Sequence, residues 1–257
     1  MSLEAFVLKG KTALVIGAST AIGYATAVAL AEAGADAGLA TTLATQREAE
    51  AASLCLSDVQ ARGRKGFVQK IDASSETAVN ALVQRTVAEL GRLDILVNAH
   101  DLPFAKPVAN VSLLEWERVL EVNLTGPYLA CRAAAGPMLA QEKGRVINVV
   151  SPLGERGMTN GSAYCAAQAG VLNLTRALAL EWARSGITVN AIGAGWTEGM
   201  GMIADAALQQ QLTRYIPQRR LAKPEDIAAA AVYLASDSAG FITGQILWMD
   251  GAVRSRL

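Results

Sequence analysis

Three polar side chains lie close enough along the chain to share a reaction. Ser151 ends a β-branched run, Val146-Ile147-Asn148-Val149-Val150, that reads as a short buried strand. A loop with Gly154, Gly157 and Gly161 leads from it to a helix bearing Tyr164 and Gln168. Ser151 is nucleophile-like, although a serine at a strand end is also common without chemistry. Tyr164 and Gln168 stand four residues apart and therefore share one helix face. Ala167, Val171, Leu174, Leu178 and Trp182 recur at helical spacing and form a separate packing stripe. One face packs, and a neighbouring face presents a phenol and an amide.

The elements that would position these groups alternate along the chain. Thr12-Ala13-Leu14-Val15-Ile16 reads as a strand, followed by a turn at Gly17-Ala18-Ser19-Thr20-Ala21-Ile22-Gly23 and a helix to Ala33, with Gly34 as its C-cap. Such a turn offers backbone N–H groups and a positive helix end to a phosphate. Taken alone it is equally a plain strand-to-helix turn. Strand-like and helix-like stretches follow at Ala37 to Ala40, Gln46 to Ala61, Gly66 to Ile71, Glu76 to Leu90 and Leu93 to Asn98. This alternation predicts a parallel sheet covered on both faces. Ser112-Leu113-Leu114-Glu115 is a capping box, and Gly126-Pro127 should disturb the helix it opens, just after Asn123. A helix distorted there can turn an asparagine or a carbonyl inward. Ile187 to Ile192 and Ile246 to Met249 supply further strands, and Pro224 suits the first turn of a late helix. There is no internal repeat and no linker, so residues 1–257 read as one domain.

Composition narrows the partners. Of 257 residues, 52% are hydrophobic, and 23 Lys and Arg balance 23 Asp and Glu. A large core is available, and no net field draws nucleic acid or an anionic membrane. Apolar runs are broken every few residues, and acidic Glu4 precedes any apolar stretch, so neither a membrane span nor a signal peptide is expected and the predicted location is cytoplasmic. Cys55, Cys131 and Cys165 are odd in number and far apart, which fits reduced thiols and no metal site. A small molecule is the expected partner.

Taken together, these segments resemble the short-chain dehydrogenase/reductase family from about Leu8 to Ala252. The landmarks are Gly17 and Gly23 of its glycine turn, Asp72 with Ala73, Asp94-Ile95-Leu96-Val97-Asn98, Asn123, Ser151 thirteen residues before Tyr164, Val189-Asn190-Ala191-Ile192, Pro224-Glu225-Asp226-Ile227, Ile242-Thr243-Gly244-Gln245 and Asp250-Gly251. The likeness is greatest to the β-ketoacyl-carrier-protein reductase branch. It implies an α/β fold of the Rossmann type, a doubly wound parallel sheet of about seven strands. It further implies NAD(P)-dependent interconversion of a secondary alcohol and a ketone, including 3-oxoacyl or polyketide-like substrates, and assembly as a homodimer or homotetramer. The resemblance casts Tyr164 as acid/base, Ser151 as donor to the substrate oxygen and Asn123 as support for a relay water. It assigns the cofactor to Gly17, Ser19, Ala21, Ile22, Gly23, Thr41, Thr42, Asp72, Ala73, Asn98, Tyr164, Gln168, Gly195 and Thr197, with residues 194–220 as a substrate lid in which Trp196, Met200 and Met202 offer an apolar wall.

The departures from the family pattern gather at the nicotinamide end. The lysine four residues after the tyrosine is Gln168, the Asn-Asn-Ala-Gly segment is Asn98-Ala99-His100-Asp101, the middle glycine of the turn is Ala21, and the threonine that would orient the carboxamide is Gly199, unless Thr197 replaces it. A phenol near pKa 10 needs about three units, or about 4 kcal/mol, to ionise near neutrality, and a neutral amide supplies only a dipole. His100 is the sole histidine, a substitute proton carrier or a solvated loop residue. After the second strand, Thr41 stands where an acid would hold a ribose hydroxyl and Thr42 where an arginine often meets a 2′-phosphate, so NADP is slightly preferred over NAD, with Arg47 as a phosphate partner. The alternative reading is a catalytically silent member that binds dinucleotide or a protein partner as a regulatory or structural subunit.

Overall fold

The computed structural model describes residues 6–42, 45–203 and 205–255; Glu4, and Ala204 within the 194–220 segment, lie outside them. Seven parallel strands form one sheet in the order β3-β2-β1-β4-β5-β6-β7. The strands are β1 (Thr12–Ile16), β2 (Asp36–Thr41), β3 (Gly66–Lys70), β4 (Ile95–Asn98), β5 (Gly144–Val150), β6 (Ile187–Ala194) and β7 (Ile246–Met249). The expected runs thus shift by a residue or two: β2 and β6 extend further into the sheet, while β4 begins two residues later than Leu93. β1 and β4 are neighbours with Ile16 opposite Asn98. The chain order reverses between them, which opens a crevice beyond their carboxyl ends.

Helices cover both faces. On one face α1 (Ala21–Glu32) and α9 (Pro224–Ala235) pack through Ala27, Leu30, Ile227, Ala231 and Leu234. On the other, α3 (Glu76–Leu90) and α5 (Gly126–Ala140) bury Val79, Leu82, Ala130, Ala134 and Met138. Local sequence sets the starts: Thr20 accepts from the Gly23 amide at 3.0 Å, Ser75 caps α3, and reciprocal Thr45–Glu48 and Ser112–Glu115 boxes open α2 (Gln46–Ala61) and α4 (Leu113–Leu120). The helix that bears Tyr164 is α7 (Ser162–Trp182); short α6 (Leu153–Arg156) precedes it, and α8 (Ala206–Tyr215) follows β6.

The Gly126-Pro127 disturbance takes a specific form. Between α4 and α5 the backbone makes a π-helical turn, Glu121–Thr125, and Pro127 then occupies the first turn of α5, where its missing amide costs nothing. A buried polar relay ties the sheet to α7: Asn98 Nδ2 donates to Asn148 Oδ1 at 2.8 Å, Asn148 Nδ2 to Thr175 Oγ1 at 2.9 Å, and Thr175 Oγ1 to the Val171 carbonyl at 2.8 Å. Asn148→Ala would strip the Asn98 amide of a partner and leave a cavity. Urea denaturation should show a loss of about 2–4 kcal/mol.

Candidate active site

The glycine turn is built by close backbone approach. Gly17 has φ +95°, and a Cβ there would lie 2.4 Å from the His100 amide nitrogen; a Cβ on Gly23 would lie 2.1 Å from the Gly17 carbonyl oxygen. These contacts press the start of α1 against the segment after β4. Ser19, Thr20, Ala21 and Ile22 line a cleft of about 570 Å³ that also meets Ser151, Tyr164 and Gln168. In the first turn of α1 the amides of Ala21 and Ile22 have no intrahelical acceptor, the arrangement that suits a diphosphate.

The remaining residues assigned by resemblance take other places. Gly17, Gly23 and Asn98 form the scaffold beneath the cleft. Thr41 is buried with its hydroxyl against that of Ser19. Thr42 donates to Glu48 at 3.0 Å, and Arg47 and Glu48 line the cleft themselves, so a carboxylate and a cation stand where two threonines were expected to decide. Asp72 accepts from the Ser74 amide at 2.9 Å and its hydroxyl at 2.6 Å, which holds the carboxyl below its usual range; with Ala73 it sits outside the cleft lining. Gly195 faces a second chamber. Thr197 is fully buried and donates to the Gly195 carbonyl at 2.9 Å, so its hydroxyl is occupied within its own loop.

Two of the departures fit one another. Gly199 has φ +78°, and a Cβ there would lie 2.9 Å from the Ala21 Cβ. The methyl added at position 21 takes the space that a side chain at 199 would use. The second chamber, about 340 Å³, meets the first at Ser151 and Met200 and is walled by Leu153, Trp196, Met202, Leu212, Tyr215 and Val253.

The centre of the cleft differs from expectation in its charges. Gln168 is buried, and its Oε1 accepts from the Ser151 amide at 2.9 Å. The amide therefore caps the end of β5. Ser151 Oγ accepts from the Leu153 amide at 3.2 Å and lines the cleft beside Tyr164. Tyr164 and Asp101 line the cleft together, and each shifts the proton affinity of the other. Burial, then the charge and hydrogen bond of Asp101, push the phenol well above its ordinary value, while Ser151 opposes them. Burial raises Asp101 to about 6, with the Tyr164 hydrogen bond acting against it.

His100 is not a solvated loop residue. Its Nε2 faces the Val122 carbonyl at 2.9 Å, its Nδ1 is shielded from solvent without a partner, and burial lowers the ring to about 4. A carbonyl only accepts, so Nε2 carries the proton and the ring is neutral near pH 7. Asn123 clamps the next turn of the same loop: its Oδ1 accepts from the Leu102 amide at 2.8 Å and its Nδ2 donates to the Leu102 carbonyl at 2.9 Å. Asp101 lies between these two anchors. Sequence reasoning named Asp101 only as the neighbour of His100; an acid in place of the glycine of the Asn-Asn-Ala-Gly segment was the signal available.

The comparisons place this geometry in a family. The family model described as enoyl-(acyl carrier protein) reductase matches residues 17–253. The chain belongs to the short-chain dehydrogenase/reductase family. It is 39% identical to a cis-4-hydroxycyclohexanecarboxylate dehydrogenase of Sinomonas cyclohexanicum over 94% of this chain and 95% of that one. It is 33% identical to a 3-oxoacyl-[acyl-carrier-protein] reductase of Synechocystis, covering 96% and 98%. The crystal structure of a short-chain type dehydrogenase/reductase from Mycobacterium marinum superposes with a TM-score of 0.90 at 30% identity, covering 99% of both chains. Among the described residues no helix is long and apolar enough to cross a membrane, and no group of residues has the makings of a metal site.

The buried carboxyl has a stability signature. Asp101 binds its proton more tightly folded (about 6) than at its ordinary 3.8, so its favourable contribution is full below about pH 4 and is lost as pH rises through 6. Asp101→Asn removes that dependence. The variant should gain stability over the wild type between pH 4 and 7, by up to about 2–3 kcal/mol. Thermal melts at both pH values check this, because the opposite dependence of His100 is common to both proteins and cancels.

Proposed function

We propose that the chain is an NAD(P)-dependent oxidoreductase that interconverts a secondary alcohol and a ketone. One observation carries the reading: Ser151 and Tyr164 lie in the same cleft as the amino-terminal turn of α1, next to a mostly apolar chamber. The turn of α1 would hold the diphosphate, and the bound dinucleotide would supply or receive hydride. Ser151 orients the substrate oxygen, and Tyr164 exchanges the proton. Asn123 braces the loop of Asp101, and Gln168 fixes the Ser151 backbone.

NADP is the preferred form in this reading: Glu48 is engaged by Thr42 and Thr45, which leaves the neighbouring Arg47 to meet a 2′-phosphate. Trp196, Met202 and Leu212 suit the apolar body of a 3-oxoacyl or cyclic substrate, with residues 194–220 closing over it. Strongly exposed Leu180 and Phe241 support a homodimer or homotetramer, which light scattering tests. Leu178 and Trp182, by contrast, pack into the core. Asp101 beside Tyr164 is the observation that favours the second reading, a member that binds dinucleotide without turnover.

A fluorescence titration with NADPH and NADH, joined to a panel of cyclohexanol, 4-hydroxycyclohexanecarboxylate, a 2-alkanol and a 3-oxoacyl thioester, separates the two. Micromolar binding, tighter for NADPH, with turnover that falls at least about 100-fold in Tyr164→Phe, is expected. Binding with no turnover favours the silent member, and no binding overturns both.

A further inference from the structure

We propose that Asp101 is the proton-accepting partner of Tyr164, so that a tyrosine–aspartate pair, in place of a tyrosine–lysine pair, exchanges the hydroxyl proton of the substrate. This rests on the oxidoreductase reading above and assigns the acid/base chemistry of the same cleft.

The argument begins with what each neighbour of Tyr164 is committed to. Gln168 gives its carbonyl to the Ser151 amide at 2.9 Å and carries no charge. Among the described residues, those that shift the Tyr164 hydroxyl are Asp101, Ser151 and Cys165 from its own helix, and none of these is a cation. A phenolate alone would therefore have to form in a buried site next to a carboxylate. Asp101, however, supplies an acceptor in the same cleft, whose wall it shares with Ser151 and Tyr164.

Asp101 is held there by two separate anchors. On one side His100 Nε2 bonds the Val122 carbonyl; on the other Asn123 makes paired bonds to Leu102. Gly126 leaves room for the imidazole, since a Cβ there would lie 2.8 Å from His100 Nε2. One carboxylate oxygen, Oδ1, is shielded from water and lacks a hydrogen-bond partner, which leaves it open to receive a proton. A residue kept in place merely to fill space would not be an unpaired acid in an active cleft.

The proton step follows. In the oxidative direction the O–H proton of the alcohol passes to Tyr164 Oη as the proton of Tyr164 passes to Asp101. The carbinol C–H bond breaks and its electron pair leaves with the hydrogen, as hydride, to an oxidised nicotinamide dinucleotide. The C–O bond becomes the carbonyl. The products are the ketone, the reduced dinucleotide, neutral Tyr164 and protonated Asp101, which then loses its proton to solvent. Reduction runs the same transfers in reverse and starts from protonated Asp101. No free phenolate is required in either direction. Burial brings the carboxyl close to the operating pH, where a general base is most effective. The other titratable groups facing the pair hold one state near neutrality: His100 is neutral, and burial keeps the Cys165 thiol protonated.

The test is the pH dependence of kcat/KM in both directions, for the best substrate of the panel, in wild type, Asp101→Asn and Asp101→Glu. In the wild type, oxidation should rise about tenfold per pH unit up to about pH 6 and then level, while reduction falls above it. Asp101→Asn should lose about 10²-fold to 10³-fold in oxidation and lose the inflection near pH 6, with the NADPH dissociation constant unchanged within about twofold; Asp101→Glu should recover part of both. A second readout needs no turnover: the ¹³C carboxyl resonance of Asp101, identified by its loss in Asp101→Asn, should titrate near pH 6 and move in Tyr164→Phe. Wild-type rates and an unchanged pH profile in Asp101→Asn, or a carboxyl resonance indifferent to Tyr164→Phe, overturn the proposal alone. A wild-type protein that turns over nothing at any pH overturns the oxidoreductase reading itself.

Discussion

The π-helical turn Glu121–Thr125 is the constraint on which the site depends. An ordinary α-helical turn would spend the Val122 carbonyl on the helix ladder and turn Asn123 elsewhere. Widened by one residue, the backbone releases that carbonyl to His100 and sets Asn123 against both polar groups of Leu102. The loop after β4 is thereby fixed at two points on either side of Asp101. From the opposite side, Gly17 brings the α1 turn into backbone contact with Ala99 and His100. The α1-turn end and the Tyr164 end of the cleft are thus braced by the same short loop.

This arrangement explains why the departures from the family pattern belong together. Ala21 fills the space that a side chain on Gly199 would need, so each change is accommodated by the other. Gln168 and Asp101 form a second matched set. A lysine ammonium beside Tyr164 would favour phenolate; here the amide is turned to the β5 end, and a carboxylate opposes phenolate while offering a place for its proton. The charge around Tyr164 is thus opposite in sign to the one a lysine would set.

Most of the frame was legible in the sequence because it is written locally. A continuous apolar run marks β1, apolar spacings of three and four mark α3 and α7, and the Ser112–Glu115 box and the Gly126-Pro127 pair announce their turns without reference to distant residues. The spacing of Ser151 and Tyr164 was legible too, since a strand end and the helix that follows must lie at one edge of the sheet. The partner of Tyr164 was not. Asp101 reaches it from a different loop, and its burial, which gives the carboxyl its character, depends on anchors supplied by Val122 and Asn123. His100 illustrates the same limit: next to an acid on a polar loop it reads as solvated, yet its ring is enclosed against the π-helical turn.

Tyrosine ionisation in the dinucleotide complex tests the account most directly. With the ring carbon bonded to the hydroxyl labelled with ¹³C, and the Tyr164 resonance identified by Tyr164→Phe, the chemical shift reports phenol or phenolate at that one residue. The account predicts a neutral phenol throughout the neutral range, with a small shift change near pH 6 as the adjacent Asp101 gains or loses its proton. A Tyr164 that titrates to phenolate near neutrality, with no trace of the carboxyl, would contradict it.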